Sequence, residues 1–425
     1  MQQRVIQVEE RPSFAESIPL SLQHLFAMFG ANVLVPILFD INPATILLMN
    51  GVGTLIYLML CKWQIPAYLG SSFAFLSPVF VVMASKSYQH ALGGFIIVGL
   101  IFIIVSVIVH FAGTRWIDVV FPPAAMGAIV AVIGLELVPV AAEMAGILKP
   151  ADAGPDWTYD TKAIFVSMAT LLIVVLGTVV FRGFLRIIPI LFGVVAGYII
   201  AALTGMVDWS SVESAKWFAI PTFYTPKFDW ASIAIIAPAA LVVIAEHIGH
   251  LLVTENIVGR DLTKHPGLSR SLLGNGVSTV ISGFVGSTPN TTYGENIGVM
   301  AISKVYSTWV IGGAAVLSII LSFSGKLAAM ISTIPAPVMG GVSLLLFGVI
   351  ASSGIRILVD SKIDYSKPFN LVLTTIVLVI GLSGANFVWG AVNLKGMALA
   401  TVIAILLSLF IRLLGKLNLL NEKMD

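Results

Sequence analysis

The chain has 425 residues, of which 58% are hydrophobic and 10% charged, where a soluble domain carries about 25% charged residues. A water-soluble fold this apolar lacks the polar material to cover its surface, so the excess faces lipid. The net charge of +2 gives no electrostatic basis for a nucleic-acid partner, and the single cysteine, Cys61, excludes an internal disulfide and any cysteine-based metal cluster.

Met1–Glu16 carries both acids and bases and no short apolar core before a cleavage site, so the first span is expected to serve as its own insertion signal. From there, apolar runs long enough to cross a bilayer as helix, roughly 20 residues each, follow one another almost without pause. They centre near residues 27, 52, 75, 100, 128, 171, 196, 241, 277, 302, 317, 342, 378 and 404. This predicts an all-α polytopic membrane protein of about 14 spans, with Ser271–Phe323 the hardest stretch to divide. Two polar connections are long. Val140–Lys162 holds Asp152, Asp156 and Asp160, and Met206–Asp229 holds Asp208, Glu213, Trp209 and Trp217, aromatics expected near a membrane interface. With a cytoplasmic N-terminus and alternating spans, only Lys86, Lys149, Lys162, Lys216, Lys227, Lys326 and Lys395 of the 23 basic residues fall outside. Every arginine, and Lys423 in the C-terminal tail, falls inside, which places both termini in the cytoplasm.

An odd number of spans per half, about seven, inverts the second half relative to the first, as in transporters built from inverted repeats. Pro122–Gly127 echoes Pro335–Gly340, and Gln23-His24 in the first span stands against Glu246-His247 in the eighth. Each half also has one broken apolar segment. Ile65–Pro78 and Gly286–Gly298 are too rich in Pro, Gly, Ser, Thr and Asn to be simple helices. Non-helical backbone at membrane depth survives only buried in protein or lining a wet cavity, so the site is expected where these two segments meet.

Ionisable side chains inside a span are costly, about 2.5–3.5 kcal/mol for a charge, and mark functional positions. The eighth span carries Glu246, His247 and His250. Glu246 and His250 are four apart and share a helix face, whereas His247 points partly away. Glu295 lies in the second broken segment. A carboxylate beside a histidine offers one proton two homes near neutral pH, the chemistry that a proton-coupled carrier needs. Glu136 and Glu255 read as solvated groups near helix ends. His247-x-x-His250 lacks a third ligand of the right type, so no zinc site is expected. No Gly-Lys-Ser/Thr sequence occurs, so the chain has no Walker loop.

Five stretches, SLQHLFAMFGANVLVP, IPAYLGSSFAF, FPPAAMGAIVAVIGLEL, PAALVVIAEHIGH and GSTPNTTYGENIGVMAI, closely resemble the uracil-transporting branch of the nucleobase–ascorbate transporter family (nucleobase:cation symporter-2). The similarity runs almost end to end. The family signature stands here as Glu295-Asn296-Ile-Gly298-Val-Met-Ala-Ile-Ser303-Lys304, with Ser303 where threonine is usual and Glu295 as in uracil carriers. The resemblance implies two inverted repeats, short antiparallel strands in the broken third and tenth spans, and a core and a gate domain. Core parts would be residues 1–115 and 231–325, and gate parts residues 116–230 and 326–425. It implies no cofactor, a homodimer in the inner membrane, and proton-coupled symport of uracil. Carried over by motif, Phe73, Glu246, Tyr293, Gly294 and Glu295 bind substrate, while His250 and Glu246 couple the proton. A carrier of xanthine, urate or another nucleobase, a membrane enzyme using Glu246 and His250, and a channel stay open as alternatives.

Overall fold

The computed structural model describes residues 4–150, 153–390 and 392–420. Asp152 and Lys423 lie outside them. Ser13 and Glu16 form a reciprocal cap that starts helix α1 (Phe14–Phe39), and Asp40 in the left-handed region ends it. The Asn42 side chain caps the next helix, with Pro43 at its first position. From there the first half runs α2 (Pro43–Leu60), strand β1 (Leu69–Ser71), α3 (Leu76–Met83), α4 (Tyr88–Ala112), α5 (Arg115–Val120), α6 (Pro123–Glu136), α7 (Val138–Met144), α8 (Thr161–Val180) and α9 (Pro189–Leu203). The second half runs α10 (Ser210–Ser214), α11 (Trp230–Ile236), α12 (Ala239–Val258), α13 (Leu268–Val285), β2 (Asn290–Thr292), α14 (Gly294–Ser303), α15 (Thr308–Ser322) and α16 (Gly325–Ser332). It closes with α17 (Ala336–Asp360), α18 (Pro368–Leu382), β3 (Asn386–Trp389), β4 (Val392–Lys395) and α19 (Gly396–Lys416).

Among the described residues, eight helical stretches are long and apolar enough to cross a membrane, and four shorter apolar helices accompany them. The protein is a multi-pass, mostly helical membrane fold. The stretch that was hardest to divide resolves into α13, β2, α14 and α15. The β3–β4 hairpin was not anticipated; its strands pair from Asn386↔Lys395 to Trp389↔Val392.

Lipid tails give helices no hydrophobic reason to associate, so close packing of small residues does the work. On α4 and α13, Gly99 and Gly276 face each other so closely that a Cβ on either would sit 2.8 Å from the other's carbonyl oxygen. Gly127 and Gly354 bring α6 and α17 together in the same way. Two packing groups result. In one, α4, α2, α1 and α12 pack with α13, α14 and α15; in the other, α6, α8 and α9 pack with α17, α18 and α19. Apolar side chains such as Phe111, Val179, Leu203, Val359 and Leu406 stay exposed around the outside, where lipid covers them.

Both ends of the molecule are tied by polar contacts. On the face holding the N-terminal segment, Ile6 pairs with Val305, Arg260 bonds Glu9, and Arg11 lies over Trp309, which stacks on Trp63. On the opposite face, the connection before α11 laces the bundle: Tyr224 Oη accepts from Asn42 N–H at 2.9 Å, and Lys227 N–H donates to Gln89 O at 2.9 Å. There Lys86 bonds Asp229 and, with the Ser232 donors, holds that carboxyl below the usual carboxylate range. Lys86, Lys216, Lys227, Lys326 and Lys395 all take part in this end.

Candidate functional site

The two broken segments meet. β1 and β2 pair antiparallel, Leu69↔Thr292, Gly70↔Thr291 and Ser71↔Asn290. Two further bonds extend the ladder, from Ser72 N–H to Pro289 O at 3.1 Å and from Tyr293 N–H to Tyr68 O at 3.0 Å. Each strand satisfies backbone of the other inside the bundle. Each also runs straight into a helix start: a short 3₁₀ turn, Phe73–Phe75, leads into α3, and Tyr293 precedes α14. Neither start has a side-chain cap, so the first main-chain N–H groups are donors without helical partners and carry the partial positive charge of a helix N-terminus.

Asn290 anchors the sheet to the bundle. The two N–H groups of its side-chain amide are shared among Met49 O at 3.1 Å on α2 and the hydroxyls of Ser278 at 2.7 Å and Ser282 at 3.2 Å on α13.

Phe73, Glu246, His250, Gly294 and Glu295 converge around this pair. Gly294 is exposed and the other four are half-buried, as is Gly249, while His247, Ile248 and Asn296 beside them are buried, so the five border one opening. Glu246 on α12 and Glu295 in the first turn of α14 lie near enough for their charges to repel. The His250 ring bonds the Thr292 hydroxyl through Nδ1 at 3.1 Å. Its Nε2 faces Gly294, where an added Cβ would lie 3.5 Å away. Phe73 meets the edge of Phe347 on α17, with ring centroids 6.2 Å apart at 82°. A residue of the other packing group thus touches the Phe73 ring.

Tyr293 contributes differently from its neighbours. Its ring is only 4% exposed and lies against Gly70, whose missing side chain leaves the room it needs. Its one hydroxyl proton is shared between Asn32 Oδ1 at 2.8 Å and Ser71 O at 3.0 Å. Its main chain is also engaged, the N–H by Tyr68 O and the carbonyl by Ile297 N–H at 3.2 Å. His24 is buried and turned to Asn296, whose amide donates to His24 O at 2.9 Å, so it pins α1 to α14. Glu255 stays half-buried at a helix end, accepting from Thr263 N–H at 3.2 Å. Glu136, read from the sequence as solvated, is not. Its carboxylate accepts from Ser77 Oγ on α3 at 2.6 Å and from Met397 N–H on α19 at 2.9 Å, joining the two packing groups.

Against known families, residues 15–389 match the model of a permease family that includes the xanthine and uracil carriers. The chain belongs to that family, the nucleobase–ascorbate transporters. Among similar permeases, the uracil permease of Paenibacillus larvae is 67% identical over 99% of this chain and 100% of its own. The uracil permease of Escherichia coli K12 is 64% identical over 98% and 96%. Among solved structures, murine Slc26a9, an anion transporter in the inward-facing state, superposes with a TM-score of 0.73 at 10% identity, over 95% of this chain and 69% of that one. That likeness shows a shared transporter fold and nothing about cargo.

Sequence reasoning about this permease missed Asn32, Thr292 and Phe347. Asn32 was findable as an amide inside an apolar helix. Thr292 and Phe347 carry no signal of their own, because what they touch lies far away in the chain.

Proposed function

We propose that this permease carries uracil into the cell together with a proton. The observation that carries this reading is the pair of carboxylates, Glu246 on α12 and Glu295 in the first turn of α14, near enough for their charges to repel, where α12 packs against α14 and the Phe73–Phe75 turn, two uncapped helix starts. Uracil has two ring N–H donors and two carbonyl acceptors on a small flat ring. The carboxylates accept from the N–H groups, main-chain N–H groups at Phe73 and Gly294 donate to the carbonyls, and Phe73 packs on the ring face. A site of buried polar partners rejects ligands that leave them unpaired. His250 and Glu246, one helical turn apart, hold the coupled proton. The names of the two bacterial relatives support the substrate.

In the same reading the chain has about 14 spans in two inverted repeats, lies in the inner membrane with both termini cytoplasmic, and works as a homodimer. Residues 1–115 and 231–325 form a core that rocks against a gate of residues 116–230 and 326–425, and the two packing groups support this division.

Uptake of radiolabelled uracil into proteoliposomes, with and without an inward proton gradient, tests the reading. Wild type accumulates uracil under the gradient. Glu246→Ala loses a charged hydrogen bond worth about 1.5–3 kcal/mol, hence at least about tenfold in uptake at low uracil. Accumulation of xanthine or urate in place of uracil overturns the substrate and keeps the carrier. Accumulation of no base overturns transport.

A further inference from the structure

His247 takes no place in the opening, yet it sits in an unbroken line of hydrogen bonds that ends on His250. Tyr57 Oη lies 2.6 Å from Ser271 Oγ, which lies 2.8 Å from His247 Nε2. His247 Nδ1 lies 3.4 Å from Thr292 Oγ1, which lies 3.1 Å from His250 Nδ1. The line crosses α2, α13, α12 and β2, and all of its members before His250 are buried. The charged or titratable groups around it are Cys61 beside Tyr57, Arg270 near Cys61, and Glu246 and Glu295 at the opening.

A hydroxyl has one proton to give, and a neutral imidazole has one N–H and one bare nitrogen. Among the described residues, Ser271 Oγ and Thr292 Oγ1 have no hydrogen-bond partner outside this line, so each gives its one proton along it, and the direction of the first bond then sets the direction of every later one. In one polarity Tyr57 donates to Ser271, Ser271 to His247 Nε2, His247 Nδ1–H to Thr292, and Thr292 to His250 Nδ1. In the reverse polarity the phenol proton is left facing the Cys61 thiol, a weak acceptor. A phenol is also a more acidic, stronger donor than an aliphatic hydroxyl. Both arguments select the first polarity, which leaves the His250 proton on Nε2, the nitrogen that faces Gly294 and the opening.

We propose that Tyr57, Ser271, His247 and Thr292 are positioning residues that lock neutral His250 in its Nε2–H tautomer, so that it presents a donor to whatever fills the site. Its partner is then an acceptor: a ring carbonyl of the nucleobase or an oxygen of Glu246 or Glu295. A second proton arriving at Nδ1 has to turn the Thr292 hydroxyl around and, with it, the line behind. The importance of that donor rests on reading the opening as the substrate site; the tautomer itself does not.

The test uses full-length protein with ¹⁵N-labelled histidine in lipid nanodiscs, without uracil, and His250→Gln to identify the His250 signals. Wild type is expected to show a protonated Nε2 and a bare Nδ1. Thr292→Val cuts the line and lowers the ratio of the two tautomers by about five- to tenfold, the worth of one hydrogen bond. Thr292→Ser returns it to within about twofold. Tyr57→Phe gives the same shift from the far end, and it carries the test if Thr292→Val does not fold. A wild-type His250 protonated at Nδ1, or a ratio unmoved by both Thr292→Val and Tyr57→Phe, overturns the proposal. Uracil binding to wild type is measured separately: its absence, with the tautomer as expected, overturns the substrate reading alone.

Discussion

Residues 65–78 and 286–298 each run through a three-residue strand into an uncapped helix start, and the two strands pair with each other. Their side chains differ sharply. The first brings Phe73 and Phe75; the second brings Glu295 and Asn296, with Glu246 and His250 alongside on α12. The helix of the first half that echoes α12 is α1, and its His24 is spent on Asn296 inside the protein. Backbone donors thus come from both halves, while every carboxylate at the opening comes from the second. A repeated fold supplies a symmetric frame, and function enters where the symmetry is broken.

That division is open to attack one side at a time. The largest effect is expected from Glu295→Gln, which keeps the size but replaces an acceptor-only group. Uracil affinity by isothermal titration falls by about 10- to 100-fold, the range for a hydrogen bond to a charged group; an unchanged affinity removes charge from the account of the second half. Next comes Gly70→Ala, aimed at the frame. The added Cβ would lie 2.3–2.7 Å from three atoms of the Tyr293 side chain, which Asn32 and Ser71 hold in place. Overpacking of this kind costs about 1–3 kcal/mol, read as a lower melting temperature in detergent. Gly298→Ala, with nothing within 4 Å of its new carbon, is the control and does not lower it. The smallest effect is expected from Phe73→Ala on the first half's side. It weakens uracil binding by about three- to tenfold, the worth of an aromatic contact of about 0.5–1.5 kcal/mol, with gradient-driven uptake retained at high uracil.

Much of the frame was legible in the sequence. Runs of apolar residues marked the helices, because a bilayer demands length and hydrophobicity from each segment by itself. The broken segments stood out because Pro, Gly and Ser cannot hide at membrane depth. Glu246 and His250 were legible as a pair because helical spacing is local. What escaped was everything settled at long range. The inward turn of the Tyr293 ring, set by the nearness of Gly70 and Asn32, leaves no mark in the local sequence. Glu136 looked solvated from its place near a helix end, and only the approach of α3 and α19 gives its carboxylate two donors. His247 seemed to point away from anything useful, since the Thr292 hydroxyl between it and His250 comes from another segment of the chain.

The pairing of β1 with β2 also bears on how the protein is made. Leu69–Ser71 leaves the ribosome half a chain ahead of Asn290–Thr292, its partner in the sheet. At ordinary synthesis rates of about 5–20 residues per second, that gap is on the order of tens of seconds. Through that interval the first strand has no mate for its backbone, and lipid offers none. The amino-terminal half must therefore wait in an unfinished state, and it closes only when the carboxyl-terminal half arrives to complete it.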